Sequence, residues 1–129
     1  MAQHPNEKLL REVYARFAEG DIGFLFGHCA QEMKFNVPGK APHSGVYNLE
    51  TFPGAMGKVM EISGGTFGEA VVHCVADDEK GIVIADHWLT RDGKKIEYRA
   101  DHIWGFRDGK IVSFEERPGN QDEFDRAWN

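Results

Sequence analysis

The stretch that decides the fold is residues 81–117, GIVIADHWLTRDGKKIEYRADHIWGFRDGKIVSFEER. Three runs rich in β-branched and aromatic residues are separated by Arg91-Asp92-Gly93-Lys94 and Arg107-Asp108-Gly109-Lys110. Asp-Gly between such runs is a strong short-range signal for a two-residue hairpin, because both central turn positions need a positive φ that Asp and Gly tolerate. Two hairpins in succession make three neighbouring antiparallel strands.

The turns also set a register. With Asp92-Gly93 as the loop, Arg91 opposes Lys94, and counting back places Leu89 opposite Ile96, His87 opposite Tyr98, Ala85 opposite Ala100 and Val83 opposite His102. The second turn, counted in the same way, places Phe106 opposite Ile111, Trp104 opposite Ser113, His102 opposite Glu115 and Ala100 opposite Arg117. One sheet face is therefore mainly apolar but holds His87, Tyr98, His102, Glu115 and Arg117 near its middle, with two alanines leaving room. That is the chemistry of a ligand cavity rather than of a dry core. The opposite face carries Ile82, Ile84, Asp86, Trp88, Arg99, Ile103 and Phe114, with Asp86 facing Arg99 as an exposed pair. Its apolar members suggest a surface covered by a second copy of the chain.

Working outward, Asn6 is placed to cap a helix whose Leu9, Leu10, Val13, Tyr14 and Phe17 recur on one face. Gly20-Asp21 stops it, and a short second helix carries Ile22, Phe24, Leu25 and Phe26. A strand at 33–37 runs into Pro38-Gly39 and a loop through 45. Residues 49–62 show helical spacing at Phe52, Met56, Val59 and Met60, with Pro53 in the first turn, where it is tolerated. A further strand spans 66–76, although the 77–80 turn leaves its register open, and with it the facing of His73 and Cys74. A short helix at 122–128 would pack Phe124 and Trp128. The fold class is α+β: helices covering one face of a curved antiparallel sheet, in a single domain spanning residues 1–129.

Composition narrows the function. The chain has 129 residues, 41% hydrophobic and 28% charged, which is ordinary for one globular domain. No apolar run approaches the roughly 18 residues a membrane helix needs. A formal charge of -6 without a Lys/Arg cluster argues against nucleic acid as a partner. The first residues lack the basic and apolar regions of a secretory leader, so the expected location is cytoplasmic. Cys29 and Cys74 read as core thiols. His28 and His43 read as surface or loop residues, and His4 as part of a frayed end. Six histidines are present, but without HxH or HExxH spacing, so no metal is expected. GxSxG, P-loop and GxGxxG patterns are absent, and no cofactor is expected.

Among the candidate site residues, His102 beside Glu115 stands first. A carboxylate next to an imidazole stabilises its charged form, fixes one tautomer, and leaves the other nitrogen to exchange a proton. His87 with Tyr98 forms a second pair, and Trp104 can stack on a ligand or fill the core.

Three motifs at compatible spacing carry a resemblance. They are Val13-Tyr14 through Ala18-Glu19-Gly20-Asp21, Phe35-Asn36-Val37-Pro38-Gly39 with Ser44-Gly45, and Arg107-Asp108-Gly109-Lys110-Ile111. With the order of elements, they resemble the SnoaL-like branch of the nuclear transport factor 2-like superfamily, over nearly the whole chain. The resemblance implies a conical fold with a deep pocket, a homodimer through the outer sheet face, and relatives that isomerise, cyclise, hydrolyse or only bind. The related ketosteroid isomerases use a carboxylate base just before the Pro-Gly segment, together with a tyrosine and a protonated aspartate. The corresponding positions here read Asn36, Val13 (followed by Tyr14) and His102, so that machinery is not expected. What is expected is cofactor-free acid/base chemistry on a small, partly apolar carbonyl compound. His102 would carry the proton, Glu115 would orient it, and Tyr14, Asn36, His87, Tyr98, Trp104 and Arg117 would contact the ligand. The alternatives are a non-catalytic binding protein for an apolar metabolite and a dimeric interaction module.

Overall fold

Both Asp-Gly turns close hairpins in the computed structural model, which describes residues 3–129. Asp92 and Gly93 have φ of 52° and 76°, and Asp108 and Gly109 have 51° and 79°, the paired positive angles a two-residue turn requires. The chain runs α1 (Pro5–Ala18), α2 (Gly23–Gly27), β1 (Cys29–Val37), β2 (Gly45–Tyr47), α3 (Phe52–Ser63), β3 (Gly68–Ala76), β4 (Lys80–Arg91), β5 (Lys94–Arg107), β6 (Lys110–Pro118) and α4 (Gln121–Trp128). The strands form one six-stranded sheet in the order β2-β1-β6-β5-β4-β3. Every neighbouring pair is antiparallel except β1 and β6, which run parallel.

The β4–β5 register is the expected one, from Arg91 opposite Lys94 to Val83 opposite His102. The β5–β6 register is corrected. Phe106 opposes Ile111 as expected, but Gly105 opposes Ser113, so Val112 is an extra residue in β6. Such a bulge moves every later residue of its strand to the other face. Trp104 consequently opposes Phe114, His102 opposes Glu116, and Ala100 opposes Pro118. Phe114 is buried on the inner side, and Glu115 and Arg117 turn outward. Gly105 makes room for the irregularity, since a Cβ there would run into Ser113 Oγ. A second bulge at Val72 settles the strand the sequence left open: Glu69 opposes His87, His73 faces out, and Cys74 is buried opposite Val83.

The N-terminal helix starts two residues earlier than expected. Pro5 takes the first turn and His4 is the cap, its Nδ1 accepting from Asn6 N–H at 3.0 Å. His4 is also held by Asp78 at 3.0 Å and does not fray. Asn6 is buried inside the first turn and donates to Asp77 O, tying the helix to the β3–β4 turn. Both cysteines are free, and burial pushes the Cys29 thiol up to about 12, so it stays protonated as a core residue does. Reading the N-terminus for a leader rests partly on Met1 and Ala2, which lie outside the described residues. Among the described residues no helix is long and apolar enough to cross a membrane.

Two apolar clusters hold the helices on the sheet. Leu10, Val13 and Tyr14 of α1 pack with Phe35, Trp104, Phe106 and Phe114, while Phe124 and Trp128 of α4 pack with Leu89, Tyr98 and Ala100. Fully burying a side chain such as Phe124 contributes about 2–3 kcal/mol. α4 is further pinned by Arg91 Nη1, which donates to Ala127 O at 3.0 Å, and it closes one end of the curved sheet over the site.

Candidate functional site

Between the concave sheet face, α1 and α3 lies a cavity of about 90 Å³. Its walls are mostly apolar, with Val13, Leu25, Phe35, Phe52, Met56 and Phe114 among them, and its titratable members are Tyr14, His43, Glu69, Tyr98, His102 and Glu116. A wider recess of about 480 Å³ shares Phe17, Ile22, Met56, Phe67 and Glu69 with it and adds Met60 and Trp88.

Four neighbouring strands bring a cluster of carboxylates and imidazoles together: Glu69 from β3, His87 from β4, His102 from β5 and Glu116 from β6. Strand pairing sets Glu69 beside His87 and His102 beside Glu116. The two histidines lie diagonally, separated along the β4–β5 ladder by the pair Ala85 and Ala100. Only methyl groups lie between them, and the imidazoles lean together until their Nε2 atoms are 3.2 Å apart. His87 Nε2 is also 3.1 Å from Glu69 Oε2, and His102 Nε2 is 3.8 Å from Glu116 Oε1. Donor atoms of Glu69, His87 and His102 all fall within 4.8 Å of one another, so these three could share a cation.

The far side of His102 is fixed by a buried chain. Trp104 Nε1 can only donate, and it donates to Tyr14 Oη at 3.1 Å. Burial, with Glu69 nearby, raises the Tyr14 pKa well above its ordinary value, so the hydroxyl keeps its hydrogen. That hydrogen has His102 Nδ1 as its acceptor. His102 therefore carries its own hydrogen on Nε2, aimed at the space between His87 and Glu116. His87 is clamped by Tyr98, whose ring stacks on it at 4.8 Å and 3°, and the Tyr98 hydroxyl accepts from Trp128 Nε1 at 3.2 Å.

Charge in the cluster follows from competing effects. Burial alone would lower the His87 pKa, but its hydrogen bond to Glu69 and the charges of Glu69 and Glu116 outweigh it and raise the value. Burial alone would raise Glu116, but His102 beside it, with His87 and His43, outweighs burial and holds the carboxyl below its ordinary value. An ionised carboxylate thus sits beside an N–H donor in an apolar chamber, a pairing that can take a proton from carbon while steadying an oxygen.

Of the residues singled out from sequence, Tyr14, Tyr98, His102 and Trp104 line the cavity, and His87 stands directly behind it. Asn36 does not: its neighbours Phe35 and Val37 face in, and Asn36 pairs in register with Glu115 on the other face. Glu115 and Arg117 are bonded to each other outside, at 39% and 63% side-chain exposure. The residues sequence reasoning missed are Glu116, hidden by the bulge, Glu69, whose strand had no fixed register, and His43. His43 is buried rather than at the surface, packed on Trp128 at 4.7 Å, and burial holds its pKa down.

Comparison with known proteins agrees with this architecture. Bal32a, from a soil-derived mobile gene cassette, is 24% identical and superposes with a TM-score of 0.88 over 97% of each chain. A nuclear transport factor 2-like protein of unknown function from Burkholderia pseudomallei is 18% identical, with a TM-score of 0.83 over 100% of this chain and 99% of that one. TerC, co-crystallised with polyporic acid, is 20% identical, with a TM-score of 0.83 over 95% and 97%. No curated protein matches the sequence. Residues 10–114 match the SnoaL-like domain, and the chain belongs to that family, built on the nuclear transport factor 2-like fold.

Proposed function

We propose that this SnoaL-like protein is an enzyme performing acid/base chemistry on a small, partly apolar carbonyl compound, with no organic cofactor required. The observation that carries this reading is the His102 Nε2–H, locked by Tyr14 and Trp104, beside the buried carboxylate of Glu116. The roles differ from those expected from the sequence: the carboxylate, now Glu116 rather than Glu115, carries the proton, and His102 holds the oxygen. In the reaction, Glu116 removes a proton from the carbon next to the carbonyl. The electron pair moves onto oxygen, which His102 N–H steadies. The dienolate of an unsaturated ketone then regains the proton from Glu116 at another carbon, an isomerisation, or the enolate carbon attacks a second carbonyl of the same molecule, whose oxygen takes that proton, a ring closure. Each proton-transfer group of this kind contributes about 10²–10⁴ in rate. Association of two copies through the outer sheet face belongs to the same reading. It is supported by half-buried Ile82, Ile84, Trp88 and Ile103 and exposed Val75.

A second reading, non-catalytic binding of an apolar metabolite, is favoured by one observation. The Tyr14 hydroxyl is committed to Trp104 and His102, and the Tyr98 oxygen accepts from Trp128, which leaves few polar atoms free for a substrate. Hydrogen–deuterium exchange of small aryl and alkyl ketones in D₂O, followed by NMR, separates the two. The catalytic reading expects exchange at the carbon next to the carbonyl, lost at least 100-fold in His102→Gln. Ketones that bind without exchange leave binding alone, and unchanged exchange in His102→Gln removes His102 from the mechanism.

A further inference from the structure

The contacts at His87 Nε2 do not close as ordinary hydrogen bonds. This one nitrogen lies 3.1 Å from Glu69 Oε2 and 3.2 Å from His102 Nε2, and it has a single site for a hydrogen. Three possible ligand atoms from three adjacent strands lie within 4.8 Å of one another. Donors 2.0–2.2 Å from a metal stand roughly 3.3–3.6 Å apart around a tetrahedral ion and about 2.8–3.1 Å apart along an octahedral edge. The Glu69–His87 separation of 3.1 Å lies at the upper end of the octahedral range, and the His87–His102 separation of 3.2 Å lies just above it.

We propose that Glu69, His87 and His102 form a three-ligand site for a divalent cation of the zinc class, with its open position facing the cavity. Two imidazoles and one carboxylate are a donor set that leaves a coordination place for water or substrate. The surroundings suit ligands that must be held still: Tyr14 occupies His102 Nδ1, and the His87 ring lies between Tyr98 and Phe67. The His87 side chain is 1% exposed and that of Glu69 12%, so the cation is sheltered while Glu69, which lines both the cavity and the wider recess, gives it a way in. The carboxylates of Glu69 and Glu116 together balance the two positive charges. On uptake the proton between Glu69 and His87 leaves. The His102 hydrogen moves to Nδ1, where Tyr14 oxygen accepts it, and the Tyr14 hydroxyl hydrogen turns into the cavity. Sequence spacing could not disclose the site, because strand pairing alone brings its ligands together.

The inference goes beyond the acid/base reading: the cation replaces the His102 proton as the partner of the carbonyl oxygen, and Glu116 remains the base. The test is titration of chelator-treated protein with Co²⁺ and Zn²⁺, followed by calorimetry and by the visible spectrum of the cobalt form. One equivalent binding at micromolar concentration or tighter is expected, weakened at least 100-fold in His87→Gln and in Glu69→Gln. Glu69 lies at the cavity rim, so its variant keeps the test open if His87→Gln fails to fold. Binding weaker than millimolar, or binding that neither substitution changes, overturns the proposal. Ketone exchange by the chelated protein is scored separately. Exchange without cation binding defeats only the cation site, and cation binding without exchange defeats only the acid/base reading.

Discussion

Tyr14→Phe is the sharpest probe of how the site is held. The substitution keeps the ring in the core and deletes one oxygen, which accepts from Trp104 Nε1 and donates to His102 Nδ1. Trp104 and His102 are 3% and 4% exposed, so neither orphaned group reaches water. A buried polar atom stripped of its partner costs about 1–3 kcal/mol, and two together give roughly 2–6 kcal/mol of lost stability. For a chain of this size that corresponds to a fall in Tm of roughly 6–24 °C. Tyr98→Phe is the internal control, because its hydroxyl serves one donor, Trp128 Nε1, and it should cost about half as much. Urea unfolding followed by far-ultraviolet circular dichroism gives both values on one scale. A Tyr14→Phe cost no greater than that of Tyr98→Phe, or below about 0.5 kcal/mol, would refute the claim that Tyr14 bridges Trp104 and His102, and with it the tautomer assigned to His102.

Two further outcomes follow from the geometry. Glu116→Gln should lower ketone exchange by about 100-fold or more, whereas Glu115→Gln, bonded to Arg117 at the surface, should leave it within about twofold; the reverse pattern would restore the bulge-free register. Sedimentation should show a dimer that Ile84→Asp, on the outer sheet face, converts to monomer, and a wild-type monomer at every concentration would remove the outer face as an interface.

The first hairpin was legible because Asp92-Gly93 fixes a turn and an uninterrupted ladder propagates it through all of β4 and β5. The second turn was equally legible, but Val112 breaks the count two residues later. Nothing in Ile111-Val112-Ser113 marks a bulge; the enabling residue is Gly105, on the partner strand. The same limit applied to β1, whose parallel pairing with β6 and outward-facing Asn36 depend on contacts far apart in sequence. His102, His87, Tyr98, Tyr14 and Trp104 were recoverable because they lie on elements with clear periodicity. Glu69 and Glu116 were not, because the registers of their strands depend on bulges. His43 was not, because a loop carries no periodicity to report its burial.

The bulge in β6 has an evolutionary consequence. Acids stand at two successive positions, Glu115 and Glu116, so where the bulge lies in the strand decides which of them points inward. While it lies between the turn and position 115, Glu116 points inward; were it beyond position 117, Glu115 and Arg117 would. A shifted bulge therefore exchanges one acid for another rather than emptying the chamber of acid, and it brings a guanidinium in as well. The hairpin works as a two-position selector, set by Gly105 on the partner strand, through which descendants of this sequence could change the polarity of the chamber without replacing either acid.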